Sequence, residues 1–276
     1  MKKIFLLGSG TMAIGIAQIS LEKGFEVILY SRKNIDEMVK SKLKYLYIER
    51  AKYSEDIANK YLENLKTTID LGDAKESDFV IEAVVEDLGI KRQYFIKLDR
   101  ICDKNTIFAT NTSCLSISEI ACAIPREDKI IGLHFFNPVA LMQLVEIVKG
   151  KKTCDNTVEE AKKIILLMGK EFIVARETPG FVVNKILIPM INEAITLFEE
   201  KVATLEDIDK SMKLGANFPI GPLALSDLIG NDVVLKIMQT IYEKTGNEKY
   251  KPSSMLIEYV QKDLLGRKTK NGFYKY

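Results

Sequence analysis

The chain has 276 residues, 47% hydrophobic and 28% charged, and its 40 basic and 38 acidic side chains leave a net charge of +2. This describes a globular chain with apolar material for one large or two modest domains, and it argues against a general nucleic-acid binder. No apolar run approaches the roughly 20 residues that span a bilayer.

The first run, KKIFLLG, reads as a β-strand rather than a secretion signal, because the apolar stretch is short and Gly8-Ser9-Gly10-Thr11 follows it. Residues 11–23 read as a helix stopped by Gly24, and EVILY as a second strand. Residues 35–65 form a long helical region rich in Lys, Glu and Tyr. FVIEAV, TIFAT, KIIGLHF and LVEIV are further β-branched runs, with segments such as 90–101 between them. Residues 155–167 carry a helical pattern, and FIVA follows as a strand. Strands alternating with helices predict a Rossmann-type, doubly wound, mostly parallel α/β sheet over residues 1–180. From residue 181 onward the pattern is helical, which predicts an all-helical C-terminal domain over 181–276. Thr204-Leu-Glu-Asp207 starts one of its helices as a capping box. Cys102, Cys114, Cys122 and Cys154 lack C-x-x-C spacing, so reduced thiols in a cytoplasmic protein are expected, with no disulfide frame and no metal site.

Gly8-Ser9-Gly10-Thr11-Met12-Ala13 fits G-x-G-x-x-G/A between a strand and a helix. Gly8 suits a tight turn, Gly10 lets backbone approach a pyrophosphate, and Ala13 is small enough for close packing. The helix N-terminus supplies amides and positive potential. NAD-specific folds place an acid at the end of the second strand to hold the ribose 2′-hydroxyl. Here Ser31-Arg32-Lys33 stands there instead, which predicts NADP(H) over NAD(H). The alternative is that Arg32 and Lys33 are ordinary solvated charges.

The sequence holds one histidine, His134, directly after the strand-like KIIGL. An imidazole both takes and gives a proton near neutral pH, whereas a lone His among apolar residues is also a common core residue. Asn111-Thr112-Ser113 follows TIFAT at the expected carboxyl end of another strand, where such sheets bind ligands. Glu146 is an acid inside the apolar run LVEIV; a buried acid needs a partner, and His134 suits it.

With these residues the sequence resembles the L-3-hydroxyacyl-CoA dehydrogenase family. The resemblance runs through GSGTMAIGIAQ, IEAVVED, ATNTS, GLHFFNP, ETPGFVVNKILIPMINEA and LGRKTKNGFY, in order, over essentially the whole chain. It implies reversible hydride transfer between a nicotinamide cofactor and a 3-hydroxyacyl thioester of coenzyme A, such as the pair interconverting with acetoacetyl-CoA, in fatty-acid or butanoate metabolism. It places the catalytic pair on His134 and Glu146, the substrate-binding serine on Ser113 and the asparagine on Asn184. It further implies cofactor contacts from Glu86, Lys91, Ser113, Asn137 and Lys268, and a homodimer formed largely through the helical domain.

The residue-level alternatives stay open beside this. Ser113 and Asn184 also suit turn or cap positions, Glu86 and Lys91 a solvated helix-start pair, and Lys268 a solvated charge. Lys40, Lys42, Lys44, Arg50 and Lys52 are either a coenzyme A handle or a solvated helix face. The departures from the family pattern are Ser31 for the usual acid, Cys114 for the second serine of N-T-S-S, and Phe218 where relatives often carry His. Two other functions compete: a related dehydrogenase acting on a free 3-hydroxy acid or sugar acid, and a dinucleotide-binding protein without turnover.

Overall fold

The computed structural model describes residues 2–276, which divide into two compact units, one ending at Glu177 and one spanning Thr178–Tyr276. In the first unit, β1 (Lys3–Leu7), β2 (Glu26–Tyr30), β3 (Leu65–Thr68), β4 (Phe79–Glu82), β5 (Ile107–Thr110), β6 (Ile130–Phe135), β7 (Leu144–Lys149) and β8 (Glu171–Arg176) form one sheet. Their order is β3-β2-β1-β4-β5-β6-β7-β8. The central strands read as continuous apolar runs because helices cover both faces; Ile4 through Leu7 are fully buried.

Strands β1 through β6 run parallel, so their carboxyl ends share one edge of the sheet. The order reverses between β1 and β4, the position at which open α/β sheets form a ligand crevice. Strand β7 then pairs antiparallel with β6, and β8 parallel with β7.

Helix α1 (Thr11–Glu22) is buried without a break from Ala13 through Leu21. Its small residues permit that depth: a Cβ on Gly15 would lie 2.8 Å from Val139 Cγ2. The stretch 35–65 is more broken than its composition predicts. Helix α2 (Asp36–Tyr45) runs into a π-helical turn, Leu46–Arg50, Lys52 takes a left-handed conformation (φ +61°), and α3 (Glu55–Leu62) follows. The Tyr-rich character has a packing reason: Tyr47 is fully buried and donates to Gln18 O of α1 at 3.0 Å, while Tyr53 and Tyr61 pack on its ring. Strand β3, LKTT, escapes the sequence reading because it is a short polar edge strand without an apolar run. Helices α4 (Leu88–Asp99), α5 (Ile117–Ala121) and α6 (Asp155–Leu167) complete the unit.

The second unit contains α7 (Val183–Glu199), α8 (Leu205–Gly215), α9 (Pro222–Ile229), α10 (Asn231–Thr245) and α11 (Ser254–Gln261). Thr204 caps α8 by accepting Asp207 N–H, as the capping-box spacing predicts. Two buried carboxylates tie this unit together. Asp209 accepts the Leu223 and Ala224 N–H groups at the start of α9, and the Tyr274 hydroxyl. Asp227 accepts the Phe273 and Tyr274 N–H groups, Asn231 Nδ2 and the Tyr276 hydroxyl. The glycines of the LGRKTKNGFY motif serve this arrangement: a Cβ on Gly272 would lie 2.0 Å from Asp227 Oδ1.

Candidate active site

The glycine turn after β1 forms the wall of a crevice of about 830 Å³. Gly8 has φ +124°, and a Cβ there would meet Ala83 O at 2.5 Å, so only glycine suits the turn. Gly10 is the N-cap of α1, and a Cβ on it would meet nothing within 4 Å. The first turn of α1 carries no acid and no side-chain cap, so its amides face the crevice with their positive potential unopposed. Ser9, Thr11 and Met12 line the same wall, while Ala13 is buried against the sheet.

The opposite rim is built by Tyr30 through Lys33 and by Tyr94 of α4. Arg32 and Lys33 are exposed, and Ser31 Oγ accepts Lys33 N–H at 3.4 Å. Neither cation has an ion-pair partner within 4 Å among the described residues. The rim is therefore cationic and without a carboxylate at the end of β2. A nicotinamide dinucleotide fits these residues, because the α1 amides suit its pyrophosphate.

Strand β4 ends in a buried polar network. Glu82 and Lys91 are both fully buried. Lys91 Nζ donates to the two Glu82 oxygens at 2.7 and 2.9 Å and lies 3.3 Å from Glu86 Oε2. Glu82 also accepts the Thr110 hydroxyl and Val84 N–H, each at 2.7 Å. Glu86 in turn accepts the Thr112 hydroxyl at 2.5 Å, Ser113 N–H at 2.9 Å and Cys114 N–H at 3.3 Å. Burial pushes the Glu86 carboxyl upward, but Lys91, the Thr112 hydroxyl and Ser113 N–H outweigh it and hold it below the usual range. The solvated-pair reading of Glu86 and Lys91 is thus corrected: Lys91 is a buried ammonium neutralised on two carboxylates.

His134 lies near the carboxyl end of β6, directly opposite Glu146 in the β6–β7 register. Its Nδ1 is 2.6 Å from Glu146 Oε2; Glu146 is fully buried and His134 nearly so. Phe136 packs on the imidazole with ring centroids 4.5 Å apart. Asn111 Oδ1, at the exit of β5, accepts Phe135 N–H at 2.9 Å and ties that exit to β6. A carboxylate on Nδ1 selects the tautomer with hydrogen on Nδ1, which makes Nε2 the proton-accepting nitrogen.

Ser113 is half-buried in the loop leaving β5, on the sheet edge that also carries His134. Asn137 is exposed in the β6–β7 connection, and its peptide bond to Pro138 is cis. Asn184 sits buried in the first turn of α7 in the helical unit, where Lys268 forms an ion pair with Asp232. Lys40 pairs with Asp36 at 2.7 Å and Lys44 with Glu55 at 3.8 Å. Among the residues that sequence reasoning passed over is Glu82. It carries the same signal that singled out Glu146, an acid inside an apolar strand.

Two family models match the chain. The 3-hydroxyacyl-CoA dehydrogenase NAD binding domain matches residues 3–178, and the 3-hydroxyacyl-CoA dehydrogenase C-terminal domain matches residues 180–276. A 3-hydroxybutyryl-CoA dehydrogenase of Clostridioides difficile is 46% identical over 278 residues, with 99% of each chain covered. The mitochondrial hydroxyacyl-coenzyme A dehydrogenase of Rattus norvegicus is 40% identical over 286 residues, covering 100% of this chain and 91% of the relative. The crystal structure of (S)-3-hydroxybutyryl-CoA dehydrogenase from Ralstonia eutropha matches with a TM-score of 0.94 at 40% identity, over 100% of this chain and 99% of that one.

Proposed function

The chain belongs to the 3-hydroxyacyl-CoA dehydrogenase family and is an oxidoreductase acting on CH–OH with a nicotinamide cofactor, and from that premise we propose that it interconverts (S)-3-hydroxybutyryl-CoA and acetoacetyl-CoA. The observation that carries the chemistry is the His134–Glu146 pair, 2.6 Å apart and buried on a ligand-binding sheet edge.

A nicotinamide cofactor held at the Gly8–Ala13 turn would supply the hydride acceptor or donor for the substrate carbon that carries the oxygen. In the oxidation, His134 Nε2 takes the hydroxyl proton; in the reduction, the same nitrogen gives a proton to the forming alkoxide. Glu146 holds the tautomer and stabilises the imidazolium that the oxidation forms and the reduction starts from. Ser113, with its backbone fixed by Glu86, donates to the substrate oxygen as charge develops there. The family resemblance implies a second donor in Asn184, which is buried in the first turn of α7.

The cofactor is NADP(H) in preference to NAD(H). The exposed Arg32 and Lys33 favour a 2′-phosphate, and no acid ends β2 to hold a free 2′-hydroxyl. The same reading includes a cytoplasmic homodimer joined through the helical unit, where Ile186, Val202 and Leu214 are exposed apolar side chains. No helix among the described residues is long and apolar enough to cross a membrane.

The test is a spectrophotometric assay of acetoacetyl-CoA reduction with NADPH and with NADH. Turnover with a higher kcat/KM for NADPH is expected. A clear NADH preference overturns the cofactor assignment, and no oxidation of either overturns the substrate. Activity confined to free 3-hydroxy acids would point to the related dehydrogenase instead.

A further inference from the structure

The loop between β5 and α5 carries Ser113 but has no regular structure of its own, so side chains from elsewhere must satisfy its polar groups. Glu86 serves its first half through Thr112, Ser113 and Cys114. A second carboxylate, Glu177, serves the other half. It accepts the Ser116 hydroxyl at 2.9 Å and Ser118 N–H at 2.8 Å, and its second oxygen accepts the Ser118 hydroxyl.

Glu177 is itself firmly held. It follows β8 directly, and its N–H donates to Lys149 O at 3.0 Å, which extends the β7–β8 ladder by one rung. Ser116 is the N-cap of α5 and accepts Glu119 N–H at 3.1 Å, while Ser118 Oγ accepts Lys151 N–H at 2.8 Å. The carboxylate therefore bridges three segments: the end of β8, the start of α5 and the turn after β7. All three donors that reach it belong to the loop-to-α5 segment, five residues or fewer from Ser113. Glu177 is also the last residue before the helical unit begins at Thr178.

We propose that Glu177 is a positioning residue for the reaction: together with Glu86 it clamps the Ser113 loop from both sides and so sets where the Ser113 hydroxyl points. The inference rests on the reading of Ser113 as a donor to the substrate oxygen. A hydroxyl displaced by about 1 Å from its productive position costs up to 100-fold in rate, so the clamp acts on turnover although Glu177 touches no reacting atom.

The test is a double-mutant cycle in kcat/KM for acetoacetyl-CoA, because a cap that merely stabilises the fold loses the same factor whether or not Ser113 is present. Glu177→Ala is expected to lower kcat/KM about tenfold with Ser113 present and less than about twofold in the Ser113→Ala background. The KM for the nicotinamide cofactor should stay unchanged. Glu177→Gln should recover most of the activity, since its amide oxygen still accepts from Ser116 or Ser118. Equal losses in both backgrounds, or full activity of Glu177→Ala, overturn the proposal. If Ser113→Ala alone turns over normally, the reading of Ser113 fails first. Should Glu177→Ala not fold, the Ser116→Ala, Ser118→Ala double variant removes the same contacts from the other side. It must show the same dependence on Ser113, and equal losses there overturn the proposal as well.

Discussion

Glu146 faces His134 across the antiparallel β6–β7 pair, with Oε2 2.6 Å from Nδ1. The reversal at β7 creates this relationship, because residues twelve apart in sequence become direct cross-strand partners. Glu146→Gln keeps the shape but removes the charge that orients the imidazole and balances its protonated form. A loss of about 10²–10⁴ in kcat is expected, with little change in cofactor KM. Steady-state kinetics with acetoacetyl-CoA checks it, and unchanged kcat would remove Glu146 from the mechanism.

The cationic rim gives a prediction about cofactor choice. Replacing Arg32 by Asp puts a carboxylate at the end of β2, where it repels a 2′-phosphate and can hold a 2′-hydroxyl. The ratio of kcat/KM for NADPH over NADH should fall about tenfold or more, which corresponds to about 1.4 kcal/mol. Comparing the two cofactors in the wild type and the variant decides it; an unmoved ratio would make Arg32 a solvated charge.

Glu86 links stability to pH. Its carboxyl is held below the ordinary value of 4.5, so its ionised form stabilises the fold above that pH. The contribution disappears as pH falls through the depressed folded value. Glu86→Gln should therefore unfold at lower denaturant than the wild type at pH 7, and the gap should narrow as pH falls below 4.5 and through the depressed folded value. Denaturant midpoints across that range measure it, and a gap constant with pH would contradict the assigned cause.

Asp227 makes a stability prediction for the helical unit. It is buried with four donors aimed at it, two of them backbone N–H groups of the C-terminal segment. Asp227→Asn turns one acceptor into a donor facing donors, at an expected cost of about 2–4 kcal/mol. Urea unfolding followed by circular dichroism would show it; a midpoint within error of the wild type would contradict the clamp.

Much of this architecture could be read in the sequence where a rule of periodicity or turn chemistry applies locally. The run EVILY is β2 residue for residue, and Gly8 needs its glycine for the positive φ and the close approach of Ala83 O. His134 and Glu146 were legible as partners because a buried acid in an apolar strand demands one. The same rule applied to Glu82 leads to Lys91, but Lys91 lies on an amphipathic-looking helix start and reads as solvated until the helix is docked on the sheet. Glu177 was hidden for a different reason. Its partners Ser116 and Ser118 are about 60 residues away, and three-dimensional proximity of that kind leaves no local pattern. Strand β3 was missed because an edge strand of Lys and Thr needs no apolar run.

One imidazole moves the proton in this mechanism, and the sequence supplies no second histidine to replace it. The most direct measurement is the single-turnover rate of acetoacetyl-CoA reduction by His134→Gln, with cofactor binding confirmed separately by fluorescence. Normal cofactor binding and a rate lower by about 10³-fold or more are expected; a rate within about tenfold of the wild type, with cofactor bound, would mean that His134 does not move the proton.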